Sequence, residues 1–183
     1  MAALVLVGSA TYAYFSDVGT SSDNIFSSGT LDLRLSDDTP ETDLDNVSAS
    51  FGASGLAPNG CTSTAQLRVK NMGSIAGDHI EIAIANTVTD TGTDSIPDMD
   101  AFLRFAIFNY DGSPITVANT NGNAFVDLDD LETNGVDNLS LSNLNTNHTI
   151  DLQVCLDASA TNAVQGDSVD SDWTVTLNQD ASL

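Results

Sequence analysis

Alternation of apolar and polar residues in five separate segments is the feature that most restricts how this chain can fold. In each segment an apolar residue recurs at every second position, which places these side chains on one face of a β-strand. Helical periodicity is weak except from Asp127 to Gly135, where acidic residues precede an Asn-Gly stop and predict a short helix. The segments are TLDLRLS from Thr30, TAQLRVK from Thr64, HIEIAIA from His79, TIDLQVC from Thr149 and DWTVTLN from Asp172.

A further strand is predicted from Phe102 to Phe108. The pair Asp111-Gly112 then predicts a tight turn, with a short return strand through Ile115 and Val117. Many short strands without alternating helices are typical of all-β proteins. The sequence therefore predicts an antiparallel β-sandwich, and both the jelly-roll and the immunoglobulin-like arrangement stay open.

The N-terminal segment has two interpretations. The apolar run from Ala2 to Val7 and the small residues after it fit a secretory signal that is cleaved after Ala13, although no Lys or Arg precedes Arg34. Alternatively, the mature protein keeps the run as an extended strand. The run is too short to span a bilayer. We therefore divide the chain into an apolar N-terminal segment, residues 1–28, and a single β-sandwich domain, residues 29–183.

The charge is strongly acidic, with 26 Asp and Glu residues against 4 Lys and Arg residues and a formal net charge of −22. Such a field repels nucleic acid and anionic lipid, so neither is an expected partner. It also keeps chains apart except where salt or divalent cations screen the charge. The acidic surface is interpreted as solvated and suited to high salt, and cation-bridged contact between neighbouring molecules is the alternative.

Two cysteines, Cys61 and Cys155, lie far apart in the sequence and in no C-x-x-C pair. This spacing gives no support to metal binding or thiol redox chemistry. In an exported protein the pair is expected to form one disulfide, which the chain-entropy model values at about 4 to 5 kcal/mol for so long a loop. Two separate buried thiols are the alternative.

No catalytic motif is present, and no resident cofactor is expected. His79 and His148 stand in neither an H-E-x-x-H nor a G-x-S-x-G motif, and both are predicted to face solvent at the start of strands. Two aspartate-rich loops could supply oxygen ligands to calcium, although neither follows the EF-hand pattern. The acidic residues of these loops are Asp90, Asp94, Asp98 and Asp100 in the first, and Asp127, Asp129, Asp130, Glu132 and Asp137 in the second.

Three Asn-x-Ser/Thr sequons are possible N-glycosylation sites. They begin at Asn46, Asn138 and Asn147. Such acceptors lie on the surface of exported proteins, so the sequons predict surface exposure at these positions.

Several stretches together resemble the TasA/camelysin family of exported biofilm-fibre and cell-surface proteins, which includes archaeal bundling-pilus subunits. The resemblance covers the N-terminal half of the chain, and the C-terminal half matches only by its last strand, Trp173 to Leu177. The matching elements are Tyr12-Ala13-Tyr14-Phe15, Gly29-Thr30-Leu31-Asp32-Leu33, Leu56-Ala57-Pro58-Asn59-Gly60 and Asn71-Met72-Gly73-Ser74.

The resemblance implies a secreted jelly-roll sandwich that polymerises into extracellular filaments. Each subunit donates its N-terminal segment as a strand to the next subunit, so that the partner is a further copy of the chain, joined head-to-tail, and filaments can bundle. Pairing with an exposed sheet edge supplies ladder hydrogen bonds, while alternate side chains enter the neighbour. The side chains that we expect to enter it are Leu4, Leu6, Tyr12, Tyr14, Phe15, Ile25 and Phe26.

The sequence departs from the family in its acidity and its cysteines. These departures suggest a salt-adapted source such as an archaeon, which adds a disulfide for durability. Camelysin-type relatives are described as metallopeptidases, but the sequence contains no matching zinc-ligand motif, so no catalysis is predicted. The rival hypotheses are a monomeric calcium- or glycan-binding module of the cell surface and a cell-surface hydrolase of the camelysin type, which would lose its activity on chelation.

Overall fold

The computed structural model describes residue 25 and the ranges 27–37, 42–48, 51–52, 54–91 and 98–180. Within these ranges the chain forms eight strands, one α-helix and two short 3₁₀ helices. The strands are β1 (Leu33–Ser36), β2 (Ala65–Asn71), β3 (His79–Thr89), β4 (Leu103–Tyr110), β5 (Ser113–Pro114), β6 (Val136–Ser140), β7 (His148–Leu156) and β8 (Ser168–Asn178). The helices are α1 (Leu128–Asn134) and the 3₁₀ helices Met99–Phe102 and Asn162–Val164.

The eight strands form two sheets with a shared core. The larger sheet has the order β1-β2-β7-β4-β5 and the smaller one the order β6-β3-β8. All neighbouring strands are antiparallel. From β2 onwards the chain changes sheet at every connection except the β4–β5 hairpin. The predicted all-β fold, an antiparallel β-sandwich, is therefore confirmed.

The hydrophobic core is built from alternate residues of the strands. Ile80, Ile82 and Ile84 of β3 point inwards and are almost fully buried, and Leu67 and Val69 of β2 belong to the same cluster. Full burial of one such side chain contributes about 1.5 to 3 kcal/mol. The strands predicted from period-two alternation are thus confirmed as β1, β2, β3, β7 and β8.

The short helix α1 packs against β3 through Leu128 and Leu131. Its first turn is held by a capping box, in which the Asp127 carboxylate accepts the backbone N–H of Asp130 and the Asp130 carboxylate accepts that of Asp127. Gly135, with a φ of 61°, ends the helix and donates its N–H to the Leu131 carbonyl at 2.8 Å. The predicted helix is therefore confirmed.

Asp111 and Gly112 form the two-residue turn of the β4–β5 hairpin. Their φ angles of 49° and 76° are those that a type I′ turn requires. The return strand is shorter than predicted, because Pro114 has no N–H for the ladder and the chain leaves the sheet after the bond from Ile115 to Phe108. Strand β6 was not predicted, since its sequence VDNLS does not alternate.

Most of the N-terminal segment lies outside the described residues. Six of the seven side chains expected to enter a neighbouring subunit lie there, and the seventh, Ile25, is 88% exposed. From Thr30 onwards the chain is fastened to the sandwich, because the Thr30 carbonyl accepts the N–H of Ser74 at 2.8 Å. Among the helices of the described ranges, none combines the length and hydropathy that crossing a membrane requires.

Candidate functional site

Strand β8 forms one edge of the smaller sheet. It pairs with β3 over all of its 11 residues, from Asn178 opposite His79 to Ser168 opposite Thr89. In the described part of the chain no strand pairs with its other side. A free strand edge presents N–H and C=O groups that can pair with a strand from another chain.

A groove of about 1190 Å³ runs along β8 between the two sheets, and it is lined by apolar side chains of both sheets and also by Asp167, Asp170 and Asp172. Val169, Trp173 and Val175 of β8 line one wall, and these inward side chains are only partly buried, whereas Ile80 and Ile82 of the neighbouring β3 are fully buried. The groove is therefore open where a fourth strand of the smaller sheet would lie. Its other wall belongs to the larger sheet and includes Leu35, Leu67, Leu152, Val154 and Leu156.

The single tryptophan of the chain, Trp173, lies in this groove. Its ring centroid is 5.2 Å from that of Phe51 and 6.0 Å from that of Phe108, with an edge-on contact to Phe108. These contacts fix the indole while leaving it partly exposed, so its fluorescence reports on whatever enters the groove.

A disulfide joins Cys61, ahead of β2, to Cys155 in β7. The Cα atoms are 3.9 Å apart, and the backbone on both sides is paired, with Thr62 donating to Val154 at 2.9 Å and Leu156 donating to Gly60 at 2.9 Å. The structure thus contains the cross-link that the sequence favoured over two separate thiols. The bond lies next to the wall of the groove that Val154 and Leu156 form.

A second candidate site lies on the outer face of the smaller sheet, around His79. His79 is 2% exposed, and its Nε2 lies 3.5 Å from Oε1 of Glu81 and 3.4 Å from Oδ1 of Asp137. Its Nδ1 lies 3.0 Å from Oδ2 of Asp78, and Nδ2 of Asn178 lies 3.3 Å from Nε2. The hydrogen bond to Asp78 is the main cause of a raised pKa at His79, and burial opposes it. We call His79, Glu81 and Asp137 the His79 cluster.

The prediction that both histidines face solvent is wrong. His79 is buried because β6 and β8 place polar side chains over it, which its position in the sequence does not reveal. The side chain of His148 is 13% exposed, its Nδ1 lies 2.7 Å from Oδ2 of Asp111, and its ring stacks on that of Tyr110 at 5.6 Å. The sequence signal for the His79 cluster was the Asp-His-x-Glu spacing at residues 78–81, which puts His79 and Glu81 on one strand face.

The two aspartate-rich loops meet at one place. Carboxylate oxygens of Asp100, Asp129 and Glu132 lie within 4.8 Å of one another. Burial is the main cause of the raised pKa of Asp100, and the charges of Asp129 and Glu132 raise it further. Three carboxylates can hold a hard cation such as calcium, but exposed acidic groups often gather without one. Calcium binding therefore stays a prediction.

Asp127 and Asp130 serve the helix cap instead of a surface site. Both are fully buried, and the Asp127 carboxylate accepts hydrogen bonds from the side-chain amides of Asn121 and Asn123. Burial is the main cause of the raised pKa of Asp127. Asp94 of the first loop lies outside the described residues.

The three sequon residues, Asn46, Asn138 and Asn147, are exposed. Asn138 has a φ of 62° and lies in the edge strand β6, one residue after Asp137. Exposure fits an acceptor site, and glycosylation itself stays a prediction.

Comparison with known families matches residues 1–182 to the model of the family described as camelysin metallo-endopeptidase. This family includes TasA-like proteins. A search of curated proteins found no match. The matched range contains both the groove along β8 and the His79 cluster.

The family description implies a metal ion, and the histidines test whether this chain fits a peptidase centre. Zinc peptidases such as thermolysin hold the catalytic ion with two histidines and a glutamate. This chain has two histidines, but they belong to different sheets and contact different carboxylates, His79 in β3 and His148 in β7. The residues therefore do not fit that centre. His79 instead lies beside two carboxylates, those of Glu81 and Asp137.

Proposed function

Because the chain belongs to the camelysin metallo-endopeptidase family, which includes TasA-like proteins, we propose that it is the structural subunit of a secreted extracellular filament. Each subunit donates its N-terminal segment to the groove along β8 of the next subunit. The observation that carries this proposal is the open groove, with apolar side chains on both walls, beside a strand edge that is unpaired within the described residues.

The pattern of the N-terminal segment is complementary to this groove. Leu4 and Leu6, and further along Tyr12 and Tyr14, occupy alternate positions, so each pair points to one side of an extended strand. A strand added beside β8 gains ladder hydrogen bonds while its alternate side chains fill apolar sites between the sheets. The partly buried Trp173 is one side chain that such a strand would cover.

Donor and acceptor are different surfaces of the subunit, so the contact is head-to-tail. Contacts of this type propagate as rings or open filaments, since each added subunit presents a new acceptor. The expected partner is therefore a further copy of this chain, and bundling of filaments would follow from contacts between their outer faces.

We propose no catalysis for this chain. The two histidines do not fit a peptidase zinc centre, and neither of them lines the groove. A structural role, by contrast, requires only the groove and the edge of β8, which is unpaired within the described residues.

The first test compares two substitutions on neighbouring residues of β8. Val175→Asp places a charge inside the groove, whereas Thr174→Asp places the same charge on the exposed outer face. We expect filaments from wild type and Thr174→Asp, and monomers from Val175→Asp, in negative-stain images. A circular dichroism spectrum confirms that each variant is folded. Filaments from folded Val175→Asp would contradict the proposal.

A mixing experiment separates donor from acceptor. A donor variant, Tyr12→Asp with Tyr14→Asp, keeps an intact groove, and folded Val175→Asp keeps an intact donor segment. We expect each to be monomeric alone and a mixture to give dimers that do not extend, with a blue shift of the Trp173 fluorescence. Repeating the mixture with Leu4→Asp and Leu6→Asp identifies which part of the segment enters the groove. A donor variant that still forms filaments would show that those residues are not the donor.

The second candidate function is a monomeric calcium-binding surface module, which the meeting of Asp100, Asp129 and Glu132 favours. In that case the chain stays monomeric at native salt, and millimolar calcium raises its melting temperature. The effect should be reduced in Asp129→Asn with Glu132→Gln. Filaments that persist in a chelator would count against this function as the main one.

A further inference from the structure

We propose that the His79 cluster is a binding site for one divalent cation of the zinc type. The ligands are Nε2 of His79 and one carboxylate oxygen each of Glu81 and Asp137. The site lies on the outer face of the smaller sheet, whereas the groove lies on the inner face, so this proposal is independent of filament assembly.

The distances from Nε2 of His79 to the two carboxylate oxygens suit a tetrahedral ion. Ligands about 2.1 Å from zinc lie about 3.4 Å apart in a tetrahedron and about 3.0 Å apart in an octahedron. Nε2 of His79 lies 3.4 Å from Oδ1 of Asp137 and 3.5 Å from Oε1 of Glu81. Both separations match the edge of such a tetrahedron.

The surroundings orient the ligands as they do in known metal sites. Histidine ligands usually donate their second ring N–H to a carboxylate, which directs the other nitrogen to the ion. Nδ1 of His79 lies 3.0 Å from Oδ2 of Asp78, which satisfies this requirement. Oδ1 of Asp137 accepts the N–H of Asn138 at 2.6 Å, which holds that carboxylate. Nδ2 of Asn178 lies 3.3 Å from Nε2 of His79, and a bound ion would replace this contact.

The ligand set selects among cations. An imidazole nitrogen suits zinc and similar transition metals, whereas calcium and magnesium prefer all-oxygen sites. The side chains of Glu81 and Asp137 are 43% and 48% exposed, which gives an ion a path from solvent to the buried nitrogen. The ion would join β3 to the edge strand β6 where their pairing is irregular, between Ile80 and Ile82.

The test is a calorimetric titration of the full-length chain with Zn²⁺ in an excess of Mg²⁺, which occupies weak sites on the acidic surface. We expect one zinc per chain and a raised melting temperature. His79→Gln should weaken binding at least 100-fold, and His148→Gln is the matched control that should not change it. Asp78→Asn, which removes only the orienting carboxylate, should weaken binding about 10- to 100-fold.

A second measurement keeps the test valid if His79→Gln does not fold. Glu81→Gln and Asp137→Asn keep the shape of two partly exposed side chains and should each weaken zinc binding. Because the chain has only two histidines, ring ¹⁵N spectra resolve each of them, and zinc should shift Nε2 of His79 while leaving His148 unchanged. Binding that is equal in wild type and these variants, no binding above the magnesium background, or equal responses of both histidines would overturn the proposal.

Discussion

Asp157 is a single residue whose contacts make stability depend on pH. It accepts the backbone N–H and the hydroxyl of Ser159 at 2.8 and 2.7 Å, and its Oδ2 lies 3.3 Å from Nε of Arg104. The bond from the Ser159 N–H is the main cause of a pKa below the ordinary 3.8. The stabilisation is therefore complete well above pH 3.8 and is lost as the pH falls through the lower folded-state value. We expect Asp157→Asn to lower the urea midpoint near neutral pH and to match wild type in strong acid.

Asp172→Asn is the matched control for this prediction. Asp172 is exposed on the outer face of β8, so the substitution removes the same charge without removing the contacts to Ser159 and Arg104. Urea midpoints measured from neutral to acidic pH should show a gap between wild type and Asp157→Asn that closes in acid. A gap that stays constant over the whole range would show that the contacts do not depend on ionisation.

At the scale of elements, the disulfide fastens the segment ahead of β2 to β7. Cys61 and Cys155 are 94 residues apart, so reduction releases a long loop in the unfolded chain. We expect replacement of both cysteines by serine to lower the free energy of unfolding by about 4 to 5 kcal/mol. Urea unfolding measures the loss, and a reductant should destabilise wild type by a similar amount while leaving the serine variant unchanged. A reductant effect on the serine variant would contradict this explanation.

Strands with strict alternation could be predicted from the sequence, because the alternation of side chains is a local property of an extended chain. The His79 cluster could be predicted only in part, because the spacing puts His79 and Glu81 on one strand face, but Asp137 reaches them through the pairing of β6 with β3, whose register shifts between Ile80 and Ile82. Strand β6 was not predicted for the same reason, since its pairing with β3 is irregular and Asn138 within it has a positive φ. The groove could not be predicted from the sequence either, because it depends on which strand lies at the sheet edge and not on any sequence motif.

At the scale of the whole molecule, the net charge of −22 opposes folding and association through self-repulsion. The Debye length falls from about 10 Å at 0.1 M salt to about 3 Å at 1 M, so salt should screen this repulsion. We expect the melting temperature to rise with NaCl over this range, as measured by calorimetry. Neutralising two exposed charges with Asp170→Asn and Asp172→Asn should make the rise smaller. A melting temperature that falls with salt would contradict the role given to the charge.

The continuous pairing of β8 with β3 also determines how a subunit resists pulling. The ladder runs without a register shift over 11 residues. In the proposed filament the donated strand lies beside β8, so tension along that strand is transmitted to the ladder parallel to its length. Tension in this direction strains all hydrogen bonds of the ladder in shear at once, whereas peeling would break them one at a time. The pair of β3 and β8 would therefore bear the tension along the filament, whereas β6, whose pairing with β3 is irregular, would contribute less.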